Sequence, residues 1–134
     1  MHKGFIQTAA LFAALAVMLG AFGSHGLRNI LDEKELATFD TAVRYQFYHS
    51  FALLFTGILF MQFSKRYLRW AGRVFIAGML IFSGSLYLLS FMRATDKQGF
   101  DWLGAITPLG GICFVVGWIF MLISLTKKDQ SSSL

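Results

Sequence analysis

Four long apolar segments separated by short polar stretches dominate the hydrophobic pattern of this chain. They cover about residues 5–23, 42–63, 71–92 and 103–125. Each has close to the roughly 20 apolar residues that a helix needs to cross a bilayer core. The runs are continuously apolar, without the alternation that a strand of a membrane barrel requires. The pattern predicts an all-α polytopic membrane protein, a single domain over residues 1–134 forming a four-transmembrane-helix bundle.

The second segment is preceded by a polar stretch that also favours a helix. Glu35 follows Asp32 by three residues, which is the spacing of a capping box. Apolar residues at helical spacing then continue into the segment. One helix over 32–63 would be about 48 Å long at 1.5 Å per residue, more than a membrane needs. We therefore expect an interfacial helical extension before the second transmembrane helix.

The first segment and the start of the fourth segment each allow two interpretations. The first segment resembles a secretory signal, with small residues at Ala21 and Gly23 before Ser24 as a cleavage site, but its apolar run is longer than a usual signal core, so we expect a retained helix. In the fourth segment, Pro108 suits the first turn of a helix and Thr107 before it is a suitable cap. We expect residues 100–106 to lie at the interface, with Trp102 as an aromatic anchor.

Small residues form stripes on three of the predicted helices. Stripes of this kind let membrane helices approach closely, and a period of seven favours left-handed crossing at about +20°. Three stripes on three helices predict close packing rather than a compositional accident. The stripes consist of Ala9, Ala13, Ala16 and Gly20, of Ala71, Gly78 and Ser85, and of Gly110, Gly117 and Ser124.

Composition supports a membrane location and restricts the partners. Apolar residues make up 56% of the chain and charged residues 14%, against about 25% charged in soluble domains. The net charge of +5 comes from residues at the ends of apolar runs, whereas a nucleic-acid interface needs a clustered basic face. We expect contact with the lipid bilayer and none with nucleic acid. The single Cys113 excludes an intrachain disulfide.

The distribution of basic residues predicts the orientation. The loop 64–73 is rich in lysine and arginine and contains no acid, whereas 24–41 and 93–102 hold most of the acidic residues. By the positive-inside rule, this loop and both termini face the cytoplasm, so the protein belongs in the cytoplasmic (inner) membrane as a multi-pass protein. The residues on the predicted inner side are Lys3, Lys65, Arg66, Arg69, Arg73, Lys127 and Lys128.

Polar residues in the outer half of the predicted bundle form the candidate site, named here the polar cluster. Its members are His25, Arg44, Tyr45, Gln46, His49, Ser83, Ser85, Tyr87 and Thr107. Polar groups at membrane depth usually face the bundle interior or a cavity. We expect these residues to form one connected site around a small pocket, and a helix N-terminus at Pro108 together with Arg44 to favour an anionic headgroup or carboxylate there.

Structural roles compete with this interpretation. Arg44 has Asp40 four residues earlier as a potential partner, and its long side chain can reach the interface. His49 can tie helices together by bonding a neighbouring hydroxyl or carbonyl group, or can handle protons or a ligand. His25 and His49 lack a third ligand, and Ser24 beside His25 lacks a placed acid. We therefore expect no metal, no cofactor and no catalytic residues.

Four motifs occur in a characteristic order. They are GAFGSHGL at 20–27, TAVRYQ at 41–46 followed by His49, FSGSLY at 82–87 and ITPLGG at 106–111. The chain thereby resembles domain-of-unknown-function family 423, small inner-membrane proteins of the YgdD and YwdK type, to which eukaryotic transmembrane protein 256 is related. Ser24 departs from the alanine expected there. The resemblance implies four helices and a membrane location, and it implies no activity.

Three functions remain open from the sequence. The first is a non-catalytic partner, subunit or stabiliser in the cytoplasmic membrane, favoured by the small size and short loops. The second is a small transporter or channel, which with four helices needs a homo-oligomer to enclose a pathway. The third is a lipid- or quinone-binding protein, or an enzyme, that uses His25, Arg44 and His49 at the outer surface.

Overall fold

The computed structural model describes residues 1–127, and within them all regular structure is helical. The helices are α1 (Lys3–His25), α2 (Glu33–Leu59), α3 (Lys65–Gly78), α4 (Gly84–Ala94) and α5 (Trp102–Thr126), with a π-helical turn at Met79–Ser83 joining α3 to α4. The all-α prediction is confirmed for this part of the chain. The predicted basic position Lys128 and the polar tail 129–134 lie outside the described residues.

The capping box before α2 is confirmed. The Asp32 carboxylate accepts from the Glu35 amide at 2.7 Å, and the Glu35 carboxylate accepts from the Asp32 amide at 3.2 Å. Helix α2 therefore starts at Glu33 and continues without a break through the predicted extension and most of the apolar segment, ending at Leu59, four residues before the predicted end at 63. Its first turn packs against α4, where the Ser90 hydroxyl donates to the Glu35 carbonyl at 3.4 Å.

The start of α5 differs from the sequence-based expectation. Pro108 lies inside the helix, six residues after its first residue Trp102, and Thr107 is not a cap. Proline lacks the amide hydrogen for the bond to the preceding turn, but membrane helices tolerate it where neighbouring groups compensate. Here the carbonyl that loses its amide partner belongs to the exposed Gly104, while Leu103 beside it is buried. The Thr107 hydroxyl bonds the Leu103 carbonyl at 3.2 Å. Packing of this first turn favours the longer helix.

The helices alternate in direction and lie in the order α1, α2, α3–α4, α5. Helix α1 packs mainly against α2, α2 against the α3–α4 rod, and the rod against α5. The central core contains side chains that are almost wholly inaccessible, among them Leu53, Leu68, Phe75 and Met79. Because α1 and α5 occupy the two edges, both expose broad apolar faces.

The small-residue stripes lie at the predicted contacts. In the rod and in α5, all six stripe residues are buried; in α1, Ala9 and Ala16 are buried and Ala13 and Gly20 are half-buried. A Cβ atom on Gly117 would lie 2.6 Å from the Phe75 ring, and one on Gly78 would lie 2.6 Å from the Phe114 ring. The close packing of the rod against α5 is therefore confirmed.

By length and hydropathy, three helical stretches within residues 1–127 are candidate membrane spans. They are Lys3–His25, Lys65–Ala94 and Trp102–Thr126. Helix α2 is not among them, because polar residues such as Gln46 and His49 interrupt its apolar character. Both of these side chains are nonetheless buried between helices. The described part of the chain thus contains three candidate spans, with α2 packed between two of them.

Candidate functional site

Gln46 is the centre of a buried hydrogen-bonded group that joins three helices. Its amide nitrogen donates to the Phe12 carbonyl of α1 at 2.8 Å, and its amide oxygen accepts from the Tyr87 hydroxyl of α4 at 2.9 Å. The Ser50 hydroxyl donates to the Gln46 carbonyl at 2.7 Å and lies 3.7 Å from the Met79 sulfur. The Gln46 side chain is thus satisfied by α1 and α4, and the Ser50 hydroxyl by its own helix, so the group connects α1, α2 and the rod.

The serines of the polar cluster connect the rod to the helices on either side. The Ser83 hydroxyl, in the π-helical turn, donates to the Ala42 carbonyl of α2 at 2.8 Å. Ser85 and Thr107 share a hydrogen bond of 2.8 Å between the rod and α5. Ser85 also bonds the Phe82 carbonyl at 2.9 Å. These contacts use hydroxyl groups to hold neighbouring helices together.

His49 faces α5 and is set among aromatic rings. Its Nδ1 lies 2.8 Å from the Tyr45 carbonyl, and its Nε2 lies 3.3 Å from the indole Nε1 of Trp118. The imidazole stacks on the Phe114 ring, with centroids 3.5 Å apart and planes at 10°. Trp118 is the sixteenth residue after Trp102, which places His49 about 24 Å along α5. His49 therefore lies nearer the middle of the bundle than the sequence predicted.

Arg44 lies on another side of α2. It pairs with Asp40 one turn earlier, and both side chains are more than half exposed. Arg44 precedes His49 by five residues, so the two side chains point about 140° apart around the helix. The interpretation of Arg44 as the partner of Asp40 agrees with this contact.

His25, at the last residue of α1, lines a separate crevice. This crevice has a volume of about 410 Å³ and also contains Arg28 and Asp40. Arg44 lines a neighbouring groove, which shares Gly20, Asp40 and Val43 with this crevice, whereas His49 lines a groove on the α5 side. His49 is therefore not brought together with His25 and Arg44, because α2 separates the α1 side of the bundle from the α5 side.

The nine residues of the polar cluster thus divide into separate groups. Three pairs are brought together: Gln46 with Tyr87, Ser85 with Thr107, and His49 with Tyr45. Ser83 bonds the Ala42 backbone instead, and His25 and Arg44 lie on the α1 side of α2. The predicted helix N-terminus at Pro108 is also absent, because α5 begins at Trp102. A single pocket that combines this terminus with Arg44 is not what the structure shows.

Two important members of the His49 environment, Phe114 and Trp118, were missed from the sequence. Phe114 is one of fifteen phenylalanines, and nothing in the pattern distinguishes it. Trp118 could have been recognised as unusual, because tryptophan in membrane helices concentrates at the interfaces. Trp118 instead lies well inside an apolar segment. In residues 1–127, no group of three or more His, Cys, Asp or Glu side chains is arranged to hold a metal ion.

Comparison with known proteins identifies relatives over nearly the whole chain. The model of a family described as "Protein of unknown function (DUF423)" matches residues 19–111. The chain is 40% identical over 126 residues to the UPF0382 membrane protein YwdK of Bacillus subtilis, covering 93% of this chain and 98% of the relative. It is 40% identical over 125 residues to a UPF0382 membrane protein of Staphylococcus epidermidis, covering 93% and 97%. No solved structure matches this chain.

Proposed function

Because this chain belongs to the DUF423 family of membrane proteins, whose molecular function is unknown, we propose that it is a non-catalytic partner, subunit or stabiliser of another protein in the cytoplasmic membrane. The observation that carries this proposal is the use of its buried polar groups. In residues 1–127, each buried side-chain nitrogen or oxygen has a hydrogen-bond partner. The main buried polar side chains form hydrogen bonds within the bundle, and they are those of Gln46, Ser50, Ser83, Ser85 and Tyr87.

The exposed faces at the two edges provide the surfaces for such a partner. Helix α5 exposes a continuous apolar stripe, and α1 exposes another on the far side of the bundle. A rigid bundle with two apolar faces is suited to packing against further membrane helices. The exposed stripe of α5 includes Leu109, Ile112, Val115, Ile119 and Leu122, and that of α1 includes Leu11, Leu15 and Met18.

The proposed arrangement in the membrane has four spans with both termini in the cytoplasm. Helix α2 is included because it lies antiparallel to α1 and its polar residues at depth are buried between helices. The orientation follows from the positive-inside rule, because the segment after α2 contains the basic residues Lys65, Arg66, Arg69 and Arg73.

Site-specific photocrosslinking in native membranes tests the proposal. A photoreactive amino acid is placed at Val115 on the exposed stripe of α5, with Leu15 on α1 tested in parallel and the buried Phe114 as the matched control. We expect one discrete adduct with a different membrane protein from one of the two faces and none from Phe114. Adducts only with a second copy of this chain would favour an oligomeric transporter, and adducts only with lipid at both faces would refute the partner role.

A second function, binding of an anionic lipid headgroup, is favoured by the crevice at the end of α1. Its lining includes His25 and Arg28, and Asp40, which also lines it, is paired with Arg44 on its other side. An apolar cavity of about 540 Å³ adjoins it across Phe39 and has room for acyl chain. We expect Arg28→Gln to reduce co-purification of phosphatidylglycerol and Lys97→Gln, which lines neither of these two cavities, to leave it unchanged. Equal retention in both variants would exclude a headgroup site at Arg28.

A further inference from the structure

We propose that the groove between α2 and α5 binds the ring of a lipid-soluble quinol, whose hydroxyl group donates a hydrogen bond to Nε2 of His49. This groove, called the aromatic groove here, has a volume of about 650 Å³. It is lined by Tyr45, His49, Phe82, Pro108, Gly111, Ile112, Phe114, Val115 and Trp118. The proposal concerns binding alone and does not rest on the partner role, although the groove shares Ile112 and Val115 with the exposed stripe of α5.

The hydrogen bonds of His49 determine which ring nitrogen is available. The Tyr45 carbonyl can only accept, so the hydrogen of the neutral imidazole resides on Nδ1, 2.8 Å from that oxygen. Nε2 then carries a lone pair, which accepts from the indole N–H of Trp118 at 3.3 Å. His49 thus presents a hydrogen-bond acceptor to the aromatic groove.

The position of this acceptor is set before any ligand arrives. The imidazole stacks on Phe114, with ring centroids 3.5 Å apart, and lies tilted by 46° against the buried Phe75, with centroids 5.8 Å apart. The second wall is equally rigid, because Tyr45 stacks on Phe82 at 4.7 Å. A preorganised acceptor flanked by aromatic faces is suited to a planar ring that carries a donor.

Trp118 is a displaceable partner for His49. Its N–H to Nε2 distance of 3.3 Å is at the long limit of hydrogen bonding, and 48% of its surface is exposed. A quinol hydroxyl can approach closer than the indole and replace it without leaving the imidazole nitrogen unpaired. The indole would then swing to the lipid side of the groove, where its apolar surface is tolerated.

The lining also defines the charge and solubility of the ligand. None of the nine lining residues is an aspartate, glutamate, lysine or arginine, so the groove favours a neutral ligand over an anionic headgroup. His49 lies about 12 Å from the Thr126 end of α5 and about 24 Å from its Trp102 end, so the ligand must enter through lipid. A quinol combines a neutral ring, a hydroxyl donor and an apolar tail. Its oxidised quinone has no hydroxyl to donate.

The test uses the full chain in phosphatidylcholine nanodiscs, with decylubiquinol, decylubiquinone and 1-decanol as probes. Bound probe is extracted after affinity recapture and quantified by chromatography, with empty nanodiscs as background. We expect wild type to hold decylubiquinol about threefold more tightly than decylubiquinone, because the quinol hydroxyl replaces the longer indole hydrogen bond to Nε2 rather than adding to it. It should show no saturable binding of 1-decanol, which has the hydroxyl but no ring.

Three variants distinguish a ligand-binding site from contacts that only hold the helices together. His49→Phe keeps a stacking ring but removes the acceptor, so it should bind quinol and quinone equally. Trp118→Phe keeps the wall and removes the competing N–H, so it should bind quinol more tightly than wild type. His25→Phe, in the other crevice, should match wild type. If His49→Phe does not fold, the Trp118→Phe result decides. Equal binding of quinol and quinone by wild type, or weaker quinol binding by Trp118→Phe, would overturn the proposal.

Discussion

The Tyr87 hydroxyl lies 2.9 Å from the amide oxygen of Gln46, joining α4 to α2 across 41 positions of sequence. The Gln46 amide nitrogen continues the connection to the Phe12 carbonyl of α1. Three helices therefore meet at one side chain that is almost wholly buried. In a low-dielectric interior such a group is stabilising only while every polar atom has a partner.

Removing the Tyr87 hydroxyl should destabilise the bundle. Tyr87→Phe leaves the Gln46 amide oxygen unpaired, and an unsatisfied buried group costs about 1–3 kcal/mol. We expect a lower thermal unfolding midpoint in detergent. Tyr48→Phe is the matched control, because Tyr48 is 55% exposed and should not change the midpoint. An equal decrease in both variants would show that the Tyr87 bond contributes nothing specific.

The close contact between α3 and α5 should not tolerate a larger side chain at Gly117. Gly117→Leu would place a side chain where the Phe75 ring lies, since even a Cβ there would be 2.6 Å from it. Overpacking of this kind typically costs about 1–3 kcal/mol, so the variant should unfold at lower temperature. Ile119 is 49% exposed on the same helix, and Ile119→Leu should be tolerated. Indistinguishable melting curves would rule out a tight seam.

Two glycines of α5 allow a sharper comparison with a single added methyl group. A Cβ on Gly110 would overlap the backbone of Phe82, whereas one on Gly104 would meet nothing within 4 Å. Backbone cannot move aside as a flexible side chain does, so Gly110→Ala should lower the unfolding midpoint. Gly104→Ala should maintain or raise it, because alanine favours the helix by up to about 1 kcal/mol. The reverse order would place the contact between the π-helical turn and α5 elsewhere.

Cysteine labelling in intact cells should report the proposed topology. In a Cys113→Ala background, a membrane-impermeant maleimide should react with a cysteine at Gln98 without permeabilisation. A cysteine at Ser64 should react only after the cells are opened, because the basic loop beside it faces the cytoplasm. Labelling of both positions from outside would mean that α3 and α4 do not cross as one span. Labelling of Ser64 alone would invert the orientation.

Local patterns in the sequence determined the helices and their packing faces. The capping box of Asp32 and Glu35 acts within one turn, so its residues specify the start of α2 wherever the helix docks. The glycine and serine stripes likewise specify which face of the rod meets α5, because small side chains on one face of a helix allow a neighbouring helix to approach closely there. The pairing of Arg44 with Asp40 follows from their spacing of four on one helix.

The tertiary structure decided which polar groups meet. Gln46 bonds a backbone carbonyl of α1, and every residue has such a carbonyl, so no side-chain pattern identifies Phe12. The rotation of α2 separates Arg44 from His49, and it depends on how several helices pack at once. The same packing buries Leu103 and keeps Pro108 inside α5 despite its preference for a first turn. Contacts between distant segments depend on how each helix is rotated about its axis and shifted along its neighbours, and a local sequence pattern specifies neither.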